Sequence, residues 1–279
     1  MILVSLHCQM GNQMFQYAFA RVAAKELNTG FLPFVSNSYY PFKLNYFELD
    51  IVTRLIYSQR RIAKQFKRIC RRLRKYVFKE TITDNDWQVG IKLKNNTYYD
   101  GFFQSDVYFD QQENLIKKAF TVKKKYTKEF EIIYTKLIQN RKIIVVHVRR
   151  SDYDIVEFDG LGGPGIALPM IYYKKALSMI TDISQYQVLF VGDDINYIKS
   201  HFDQKPNYHF ETNSPIIDFQ LIQHADIAII ANSTFAWWAA YLNQKENSRI
   251  IAPEYWLGHK VKKLFPAGIK TDKFEWIEF

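Results

Sequence analysis

The 279-residue sequence is poor in several features that mark particular classes of protein. Its two cysteines, Cys8 and Cys70, are too few for a disulfide framework, so we expect a reducing, cytoplasmic setting. The N-terminus lacks the basic, apolar and small-residue pattern of a signal peptide. The window with the fewest polar residues, 225–242, is interrupted by Asp226 and by Asn232-Ser233-Thr234, which excludes a membrane span.

The motifs of metal and covalent catalysis are also missing. No group of His, Cys, Asp and Glu has metal-ligand spacing, and there is no Gly-x-Ser-x-Gly or paired Cys/His motif. The glycine-rich segment 159–165 is not followed by Gly-Lys-Ser/Thr, so it is not a phosphate-binding P-loop. With 48% hydrophobic and 24% charged residues, the composition is that of a globular protein. We therefore expect a folded protein without a metal or a cofactor.

Acidic residues are absent from the segment between Arg60 and Lys79, which contains ten Lys or Arg and accounts for the whole formal net charge of +10. A general nucleic-acid binder would spread its charge over a groove, so we expect no nucleic-acid partner. Five apolar residues recur at helical spacing and predict an amphipathic basic helix: Ile62, Phe66, Ile69, Leu73 and Val77. Either this helix contacts an anionic membrane surface, or its apolar residues are core and its charges are solvated.

A short apolar run gives the clearest sign of the fold. Residues 143–148 are β-branched apart from His147, which predicts a strand buried on both faces, as in a parallel sheet. Arg149 and Arg150 follow it, where packing gives no reason for them. Paired guanidinium groups present forked donors that match phosphate oxygens, so we predict a phosphate or diphosphate ligand. The alternative is a solvated strand end with an ion pair between Arg150 and Asp152.

Apolar strand patterns alternate with helical patterns through the second half, which predicts a parallel doubly wound sheet. Three strand ends carry polar clusters, and in a parallel sheet they emerge at one edge. The clusters are His147 with Arg149-Arg150, Asp193-Asp194, and Asn232-Ser233-Thr234. Ser233 and Thr234 either hold phosphate oxygens or cap the helix that they start. Asp218, one helix upstream, either accepts N–H groups of a guanine edge or caps its own helix.

The N-terminal half begins with a predicted strand over residues 2–6, a tight loop and a helix, which is the start of a βαβ unit. Gly11 and Asn12 fit the turn, because both residue types tolerate positive φ. The N-terminus of the following helix would offer N–H groups to an anion. Residues 31–58 show no clean period and predict only short strand and loop.

Four motifs stand in order along the chain, and together they resemble one family. They are Gly11-Asn12-Gln13-Met14-Phe15-Gln16-Tyr17-Ala18, His147-Val148-Arg149-Arg150-Ser151-Asp152-Tyr153, Gly192-Asp193-Asp194 and Ala231-Asn232-Ser233-Thr234-Phe235-Ala236-Trp237-Trp238. The set resembles the bacterial α-1,2-fucosyltransferases of glycosyltransferase family 11. The resemblance implies an α/β, GT-B-like fold of two Rossmann-like domains with parallel doubly wound sheets. We place an acceptor-side domain at residues 1–140 and a GDP-sugar-binding domain at 141–279.

The resemblance also implies roles for individual residues. Arg149 and Arg150 would neutralise the diphosphate as it leaves, in place of a metal. His147 and Asp218 would face guanine, and Asn12 would close over the sugar. The full implied donor-binding set is Asn12, His147, Asp193, Asp194, Asp218, Ser233 and Thr234. By similarity to α-1,6-fucosyltransferases, Glu157 would accept the acceptor's proton, and Asp152 and Asp154 compete for that role.

Two positions depart from the family pattern. Cys8-Gln9-Met10 stand where the family usually has Gly-Gly-Leu, and Ser151 stands where it usually has Gly. The first departure puts side chains where backbone normally approaches the donor or the acceptor. Related fucosyltransferases accept a hydroxyl residue at the second position.

The predicted function is inverting transfer of L-fucose from GDP-β-L-fucose to the 2-hydroxyl of a galactoside, either a surface glycan or a lipid-linked saccharide. The first alternative is a transferase of the same fold that uses another GDP-sugar. The second is a basic protein that binds a membrane surface or nucleic acid. We expect a cytoplasmic enzyme that contacts the inner face of the membrane peripherally.

Overall fold

The computed structural model describes residues 1–36, 39–78, 80–84, 90–138 and 141–279. The chain forms two compact units. The first comprises Met1–Lys123 with Ala267–Lys270, and the second comprises Lys124–Pro266 with Thr271–Phe279. The boundary predicted from the sequence lies after residue 140, so the helix over residues 124–138 belongs to the second unit and not to the N-terminal domain as predicted.

In the first unit, the described residues form a parallel sheet with helices. Its elements are β1 (Ile2–Leu6), α1 (Met10–Glu26), β2 (Phe31–Val35), α2 (Ile51–Ser58), α3 (Arg60–Tyr76), β3 (Glu80–Asp84), β4 (Thr97–Gly101) and α4 (Glu113–Ala119). The strand order is β2-β1-β4-β3, and each pair is parallel. Strand β1 is buried along its whole length, and Phe19 and Ala20 of α1 pack in a core with Ile2 and Val4.

The second unit contains a longer parallel sheet. Its elements are α5 (Lys124–Ile138), β5 (Lys142–Val148), α6 (Met170–Ser178), β6 (Tyr186–Gly192), α7 (Ile195–Ser200), β7 (Tyr208–Phe210), α8 (Pro215–Gln223), β8 (Ile227–Ile229), α9 (Thr234–Tyr241), β9 (Arg249–Pro253) and β10 (Glu275–Ile277). The strand order is β10-β9-β8-β5-β6-β7, and each pair is parallel. The two parallel sheets confirm the predicted α/β fold.

The order of the second sheet places a switch of direction beside β5. After β5 the chain adds β6 and β7 on one side, and it then returns to add β8, β9 and β10 on the other. Open parallel sheets bind ligands at the carboxyl edge beside such a switch point. Because β5, β6 and β8 are neighbours, their three polar strand ends share that edge, as the sequence predicted.

The predicted turn at Gly11 and Asn12 is wrong. Both residues lie inside α1, and neither has positive φ. The chain turns at Cys8, which has a φ of 62°. The amide of Gln13 holds this turn, because its Nε2 atom donates to the Cys8 carbonyl at 3.0 Å. The helix can therefore begin at Met10, almost directly after the strand.

The predicted basic helix exists as α3, but its apolar residues divide between two surfaces. Phe66 and Leu73 pack against a core that contains the buried Cys70. Ile69 and Val77, in contrast, are each about half exposed, at 53% and 51%. The interpretation of the whole apolar set as core is therefore wrong. Lys79, at the end of the predicted segment, lies outside the described residues.

Three further elements were not predicted. The irregular region over residues 31–58 contains α2 as well as a strand, β3 precedes β4, and β10 pairs with β9 at the edge of the second sheet. The edge strands β3 and β10 lack the apolar runs of the central strands. Among the described residues, no helix combines the length and the hydropathy needed to cross a bilayer.

Candidate active site

Two guanidinium groups stand at the carboxyl end of β5. The Arg149 Nη1 atom lies 3.1 Å from Asp193 Oδ2, and Arg149 Nη2 also pairs with Asp152. The Arg150 Nη2 atom lies 2.8 Å from Asp154 Oδ1, and its guanidinium carbon lies 4.2 Å from the centre of the Tyr197 ring. The predicted ion pair between Arg150 and Asp152 is therefore wrong, because each arginine selects a different carboxylate of the following turn.

Asp193 organises the arginine pair. Besides its ion pair with Arg149, its Oδ1 atom accepts a hydrogen bond from the Arg150 backbone N–H at 2.8 Å. The side chains of Arg149 and Arg150 are 28% and 19% exposed, so each keeps part of its guanidinium open to solvent. This arrangement pre-positions two forked cations at a sheet edge, where they can bind an anion with several oxygens.

The turn after the arginines explains one departure from the family pattern. Residues Ser151–Asp154 form a 3-10 turn, and Ser151 adopts a left-handed conformation with a φ of 43°. Glycine adopts this conformation without the clash of a Cβ atom, which accounts for the usual residue of the family at this position. Cys8 has the same left-handed backbone where the family usually has Gly.

His147 lies on β5 beneath the arginine pair. It is buried, and burial, reinforced by the positive charge of Arg149, lowers the pKa of its imidazole to about 4. The ring is therefore neutral near pH 7. Its Nδ1 atom is buried without a hydrogen bond to another described residue, and its ring centre lies 5.6 Å from that of Phe235. A buried polar atom without a partner is costly, so this nitrogen suits a ligand.

Asp218 is a buried carboxylate on α8, and it does not cap that helix. Burial is the main cause that raises its pKa to about 7, and the charge of Glu211 acts in the same direction. The Asn213 amide donates to Asp218 Oδ1 at 3.0 Å and favours the ionised form. Phe219, the next residue, contacts Phe235, whose ring also contacts His147. Phe235 thus links the His147 ring to the helix that carries Asp218.

Ser233 occupies the N-cap position of α9, but its side chain makes no cap hydrogen bond, so the capping interpretation is wrong for it. Its hydroxyl is hydrogen-bonded to Tyr153 instead, whose phenol has a pKa raised by burial to about 12. Thr234, the first residue of α9, is half-buried. The neighbouring Asn232 amide donates to the Ile166 carbonyl at 2.7 Å and holds the segment after the glycine-rich loop.

The remaining candidates of the second unit have simpler surroundings. Asp194 caps α7 by accepting a hydrogen bond from the Tyr197 backbone N–H at 3.0 Å. Asp152 and Asp154 are exposed but paired with the arginines. Glu157 is exposed, and no ion pair or hydrogen bond of its side chain is found among the described residues. Of the three candidate proton acceptors, Glu157 alone is therefore not held by a cation.

Asn12 belongs to the first unit and lies near the carboxyl end of β1. Its Oδ1 atom accepts a hydrogen bond from Gln104 Nε2 at 2.8 Å, and its side chain also contacts the Cys8 thiol. Burial raises the pKa of that thiol. At the same edge, the Ser5 hydroxyl bonds to Asp100, and His7 Nδ1 lies 3.9 Å from Asp100 Oδ1.

Several residues at these edges were missed by sequence reasoning. Tyr197 stacks on Arg150, Asn213 bonds Asp218, and His7 approaches Asp100. Each lies on a different element from its partner or in a loop, so no spacing could reveal it. The part of the chain that the structure describes contains no cluster of three or more His, Cys, Asp or Glu that could hold a metal ion.

Comparison with known proteins identifies the family. The profile of Glycosyl transferase family 11 matches residues 1–277, so the chain belongs to that family. The O-antigen biosynthesis glycosyltransferase WbnK of Escherichia coli is 27% identical over 299 aligned positions, which cover 91% of this chain and 95% of that protein. An alpha-1,2-colitosyltransferase of Escherichia coli is 27% identical over 263 positions, covering 88% and 89%.

Solved structures support the fold. The alpha-1,6-fucosyltransferase NodZ, known from Bradyrhizobium and here co-crystallized with GDP, matches with a TM-score of 0.52 at 14% identity, over 86% of this chain and 91% of that chain. POFUT1 in complex with GDP matches with a TM-score of 0.55 at 13% identity, over 90% and 96%. At such identities the likeness shows the fold alone, and that fold is GT-B-like.

Proposed function

We propose that this glycosyltransferase moves L-fucose from GDP-β-L-fucose to the 2-hydroxyl of a galactoside, with inversion at the anomeric carbon. The observation that carries the proposal is the arginine pair held by Asp193 beside the switch point of the second sheet. The fucosyltransferases of similar fold were crystallised with GDP. A GDP-sugar supplies the anion with several oxygens that the two guanidinium groups match.

The transfer breaks one bond and forms another at the same carbon. The acceptor oxygen attacks C1 of the sugar while the bond from C1 to the β-phosphate oxygen breaks, and GDP leaves with the electron pair. Negative charge grows on the diphosphate, so Arg149 and Arg150 stabilise the transition state more than the bound donor. The start of α9 offers backbone N–H groups to the phosphates, and the Ser233 hydroxyl can exchange its bond to Tyr153 for one to a phosphate oxygen.

The other donor contacts follow from the surroundings of His147 and Asp218. The ionised Asp218 carboxylate accepts the paired N–H groups of guanine, and the unpartnered Nδ1 atom of His147 meets the nucleotide. Asp193 acts on the nucleotide through the arginines that it positions. Asp194 contributes by fixing α7, which carries Tyr197 onto Arg150.

The acceptor hydroxyl must lose its proton during the transfer. Asp152 and Asp154 are paired with guanidinium groups, and a nearby cation lowers the basicity of a carboxylate. We therefore favour Glu157 as the proton acceptor. In the first unit, Asn12 is held by Gln104 and contributes its amide to the sugar.

A second donor has a specific observation in its favour. One relative of this chain is named an alpha-1,2-colitosyltransferase, and its percentage identity to this chain, 27%, equals that of WbnK. Cys8-Gln9-Met10 also place side chains in the N-terminal loop where the family usually has two glycines. A colitosyl donor is therefore the alternative to a fucosyl donor, on the same site and with the same linkage.

Product analysis tests both candidates. The purified chain is incubated with GDP-fucose or with the corresponding GDP-colitose, each with a panel of galactosides, and the products are assigned by NMR. We expect an α-1,2-linked fucosyl galactoside, since inversion of a β-donor gives an α-product. If the chain transfers sugar only from GDP-colitose, colitose takes the place of fucose as the transferred sugar in the proposal. Retention of the β-configuration, or no transfer from either donor, would overturn the proposal.

A further inference from the structure

We propose that α2 and α3 together form a docking surface for an anionic phospholipid membrane, in which aliphatic side chains enter the headgroup layer and the cations of α3 bind lipid phosphates. The surface consists of the exposed residues between Ile51 and Tyr76 in these two helices, and we call it the α2–α3 surface. It lies in the first unit, and its role does not depend on which sugar the enzyme transfers.

The first observation is an inverted helix. A helix on the surface of a globular unit normally turns its apolar residues toward the core. Helix α2 buries Thr53 and exposes three of its four aliphatic residues: Ile51 and Leu55 are 64% and 62% exposed, Val52 is also exposed, and only Ile56 is half-buried. Tyr57 fixes this orientation, because its hydroxyl donates to the Pro33 carbonyl at 3.1 Å and accepts from the Val35 N–H at 3.0 Å.

Helix α3 adds an exposed apolar ridge. Ile62, Ile69 and Tyr76 recur every seven residues, so they share one side of the helix, and all three are exposed. The helix cannot turn this ridge inward, because Phe66, Cys70 and Leu73 already occupy the side that packs on the sheet. Half of the exposed large apolar residues recorded among the described residues lie in the short region from α2 to Val77, just after α3.

The positive charge of α3 indicates an anionic partner. Helix α3 carries nine Lys or Arg and no Asp or Glu, and none of the ion pairs found among the described residues involves it. Burial lowers the pKa of Lys67, and the charge of the neighbouring Arg71 acts in the same direction. Uncompensated positive charge favours an anionic partner. A second copy of this chain would bring the same cations and would be repelled.

The exposed apolar residues favour a lipid surface over nucleic acid as the anionic partner. Single-stranded nucleic acid binds aromatic side chains on which bases stack, whereas this surface exposes aliphatic Ile, Val and Leu with Tyr76 as the one aromatic residue on its ridge. Aliphatic residues flanked by Lys and Arg are typical of helices that lie in the plane of a membrane interface. An anionic bilayer therefore fits both the cations and the exposed aliphatic residues of the α2–α3 surface.

Vesicle sedimentation with the full chain tests the proposal. We expect binding to vesicles that contain phosphatidylglycerol, weak binding to phosphatidylcholine alone, and release at high salt. Each cation near such a surface contributes about a fivefold gain in binding. The triple variant Arg68→Glu, Arg71→Glu and Arg72→Glu should lose more than about a hundredfold. Arg74 is kept, because it stacks on Tyr98 at 4.3 Å and supports the fold.

A second variant tests the contribution of the exposed aliphatic residues, and matched changes on α5 are its controls. Leu55→Ser with Ile69→Ser leaves every charge in place and should weaken binding about tenfold or more, since each loses buried apolar area in the headgroup layer. Matched changes on α5, in the second unit, should leave binding intact: Lys124→Glu, Lys125→Glu and Lys128→Glu for charge, and Ile132→Ser for an aliphatic residue that is 75% exposed. Turnover of a water-soluble galactoside should be unchanged in all of them.

Four outcomes would overturn the proposal. The first is no binding of the unchanged chain to phosphatidylglycerol vesicles at low salt. The second is equal loss in the α5 variants, which would make the attraction a property of net charge. The third is a Leu55→Ser, Ile69→Ser variant that binds vesicles like the unchanged chain. The fourth is an unchanged chain that binds oligonucleotides more tightly than vesicles. Either of the last two results would assign the surface to a purely ionic partner.

Discussion

The first loop of each unit follows the first strand of a parallel sheet, and the two loops differ in charge. After β1, the loop is held by amides: Gln13 bonds Cys8, and Asn12 bonds Gln104. After β5, the loop is held by ions, with Arg149 and Arg150 paired to carboxylates on either side. Each loop contains a left-handed residue that is not glycine. Similar backbones thus carry opposite chemistry, and the charged loop is the one suited to a leaving diphosphate.

Removing the charge of the second loop should have the largest effect. We expect Arg149→Ala and Arg150→Ala each to cost about 2–4 kcal/mol of transition-state stabilisation, because each removes positive charge where negative charge develops. The measurement is kcat/KM with the donor that product analysis identifies. Arg149→Lys keeps the charge but loses the forked geometry, so its loss should be smaller. Full turnover in both alanine variants would remove the phosphate role, provided that thermal melting shows a folded chain.

Low pH should weaken donor binding through Asp218 of the second unit, whereas the amide side chains of the loop after β1 do not titrate. The pKa of Asp218 is raised by burial to about 7, and the proposed contact with guanine needs the ionised carboxylate. Binding must therefore release a proton below that pKa. We expect the donor Kd to rise about tenfold for each unit that the pH falls below about 7, and to be constant above it. Donor binding measured by calorimetry across this range checks the slope.

The matched variant for that pH dependence is Asp218→Asn, which cannot ionise. Its donor affinity should be weaker at pH 8 and independent of pH, because the amide still accepts one hydrogen bond but carries no charge. A donor affinity that improves as the pH falls would show that the neutral carboxyl group is the binding form. The assignment of Asp218 to the guanine edge would then fail.

Replacing the left-handed residue of each loop by glycine should raise the free energy of unfolding slightly in both cases. Ser151→Gly and Cys8→Gly each remove a Cβ clash at positive φ, partly offset by the greater entropy of glycine in the unfolded chain. We expect a gain of about 0.5–1 kcal/mol in the free energy of unfolding, seen as a higher Tm. Ser178→Gly, in the last turn of α6, is the control and should lower the Tm. A lower Tm for Ser151→Gly would mean that the loss of its hydroxyl outweighs the relief.

Chelation should have no effect on turnover. If Arg149 and Arg150 turn their guanidinium groups from the neighbouring carboxylates to the leaving diphosphate, as we propose, the transfer needs no divalent cation to neutralise it. Turnover is measured with and without excess EDTA. Activity that is lost on chelation and restored by manganese or magnesium would assign Asp193 to a metal site. The comparison of the two loops would then be between a loop held by amides and a loop that binds a metal ion.

The sequence predicted best where a single stretch carries the information. Strand β5 is a β-branched run, and the order of strands and helices fixes which strand ends meet, so the shared edge of His147, Asp193 and Ser233 could be predicted. Helix α2 could not, because its eight residues are too few to show a helical period, and the aromatic residues around it have no regular spacing. The pairing of Arg150 with Asp154, and its stacking on Tyr197, depend on a 3-10 turn and on α7, which spacing alone does not define.

The return of residues Ala267–Lys270 to the first unit has a consequence for chimeras. The second unit is not one continuous stretch of chain, so an exchange of this unit between two relatives needs more than one junction. A crossover after Lys123 alone would replace these four residues together with the second unit, and would leave the recipient's first unit with a foreign stretch of chain. Recombinants that graft residues 124–266 and 271–279 while retaining the host's own 267–270 should therefore fold more often than those with a single junction.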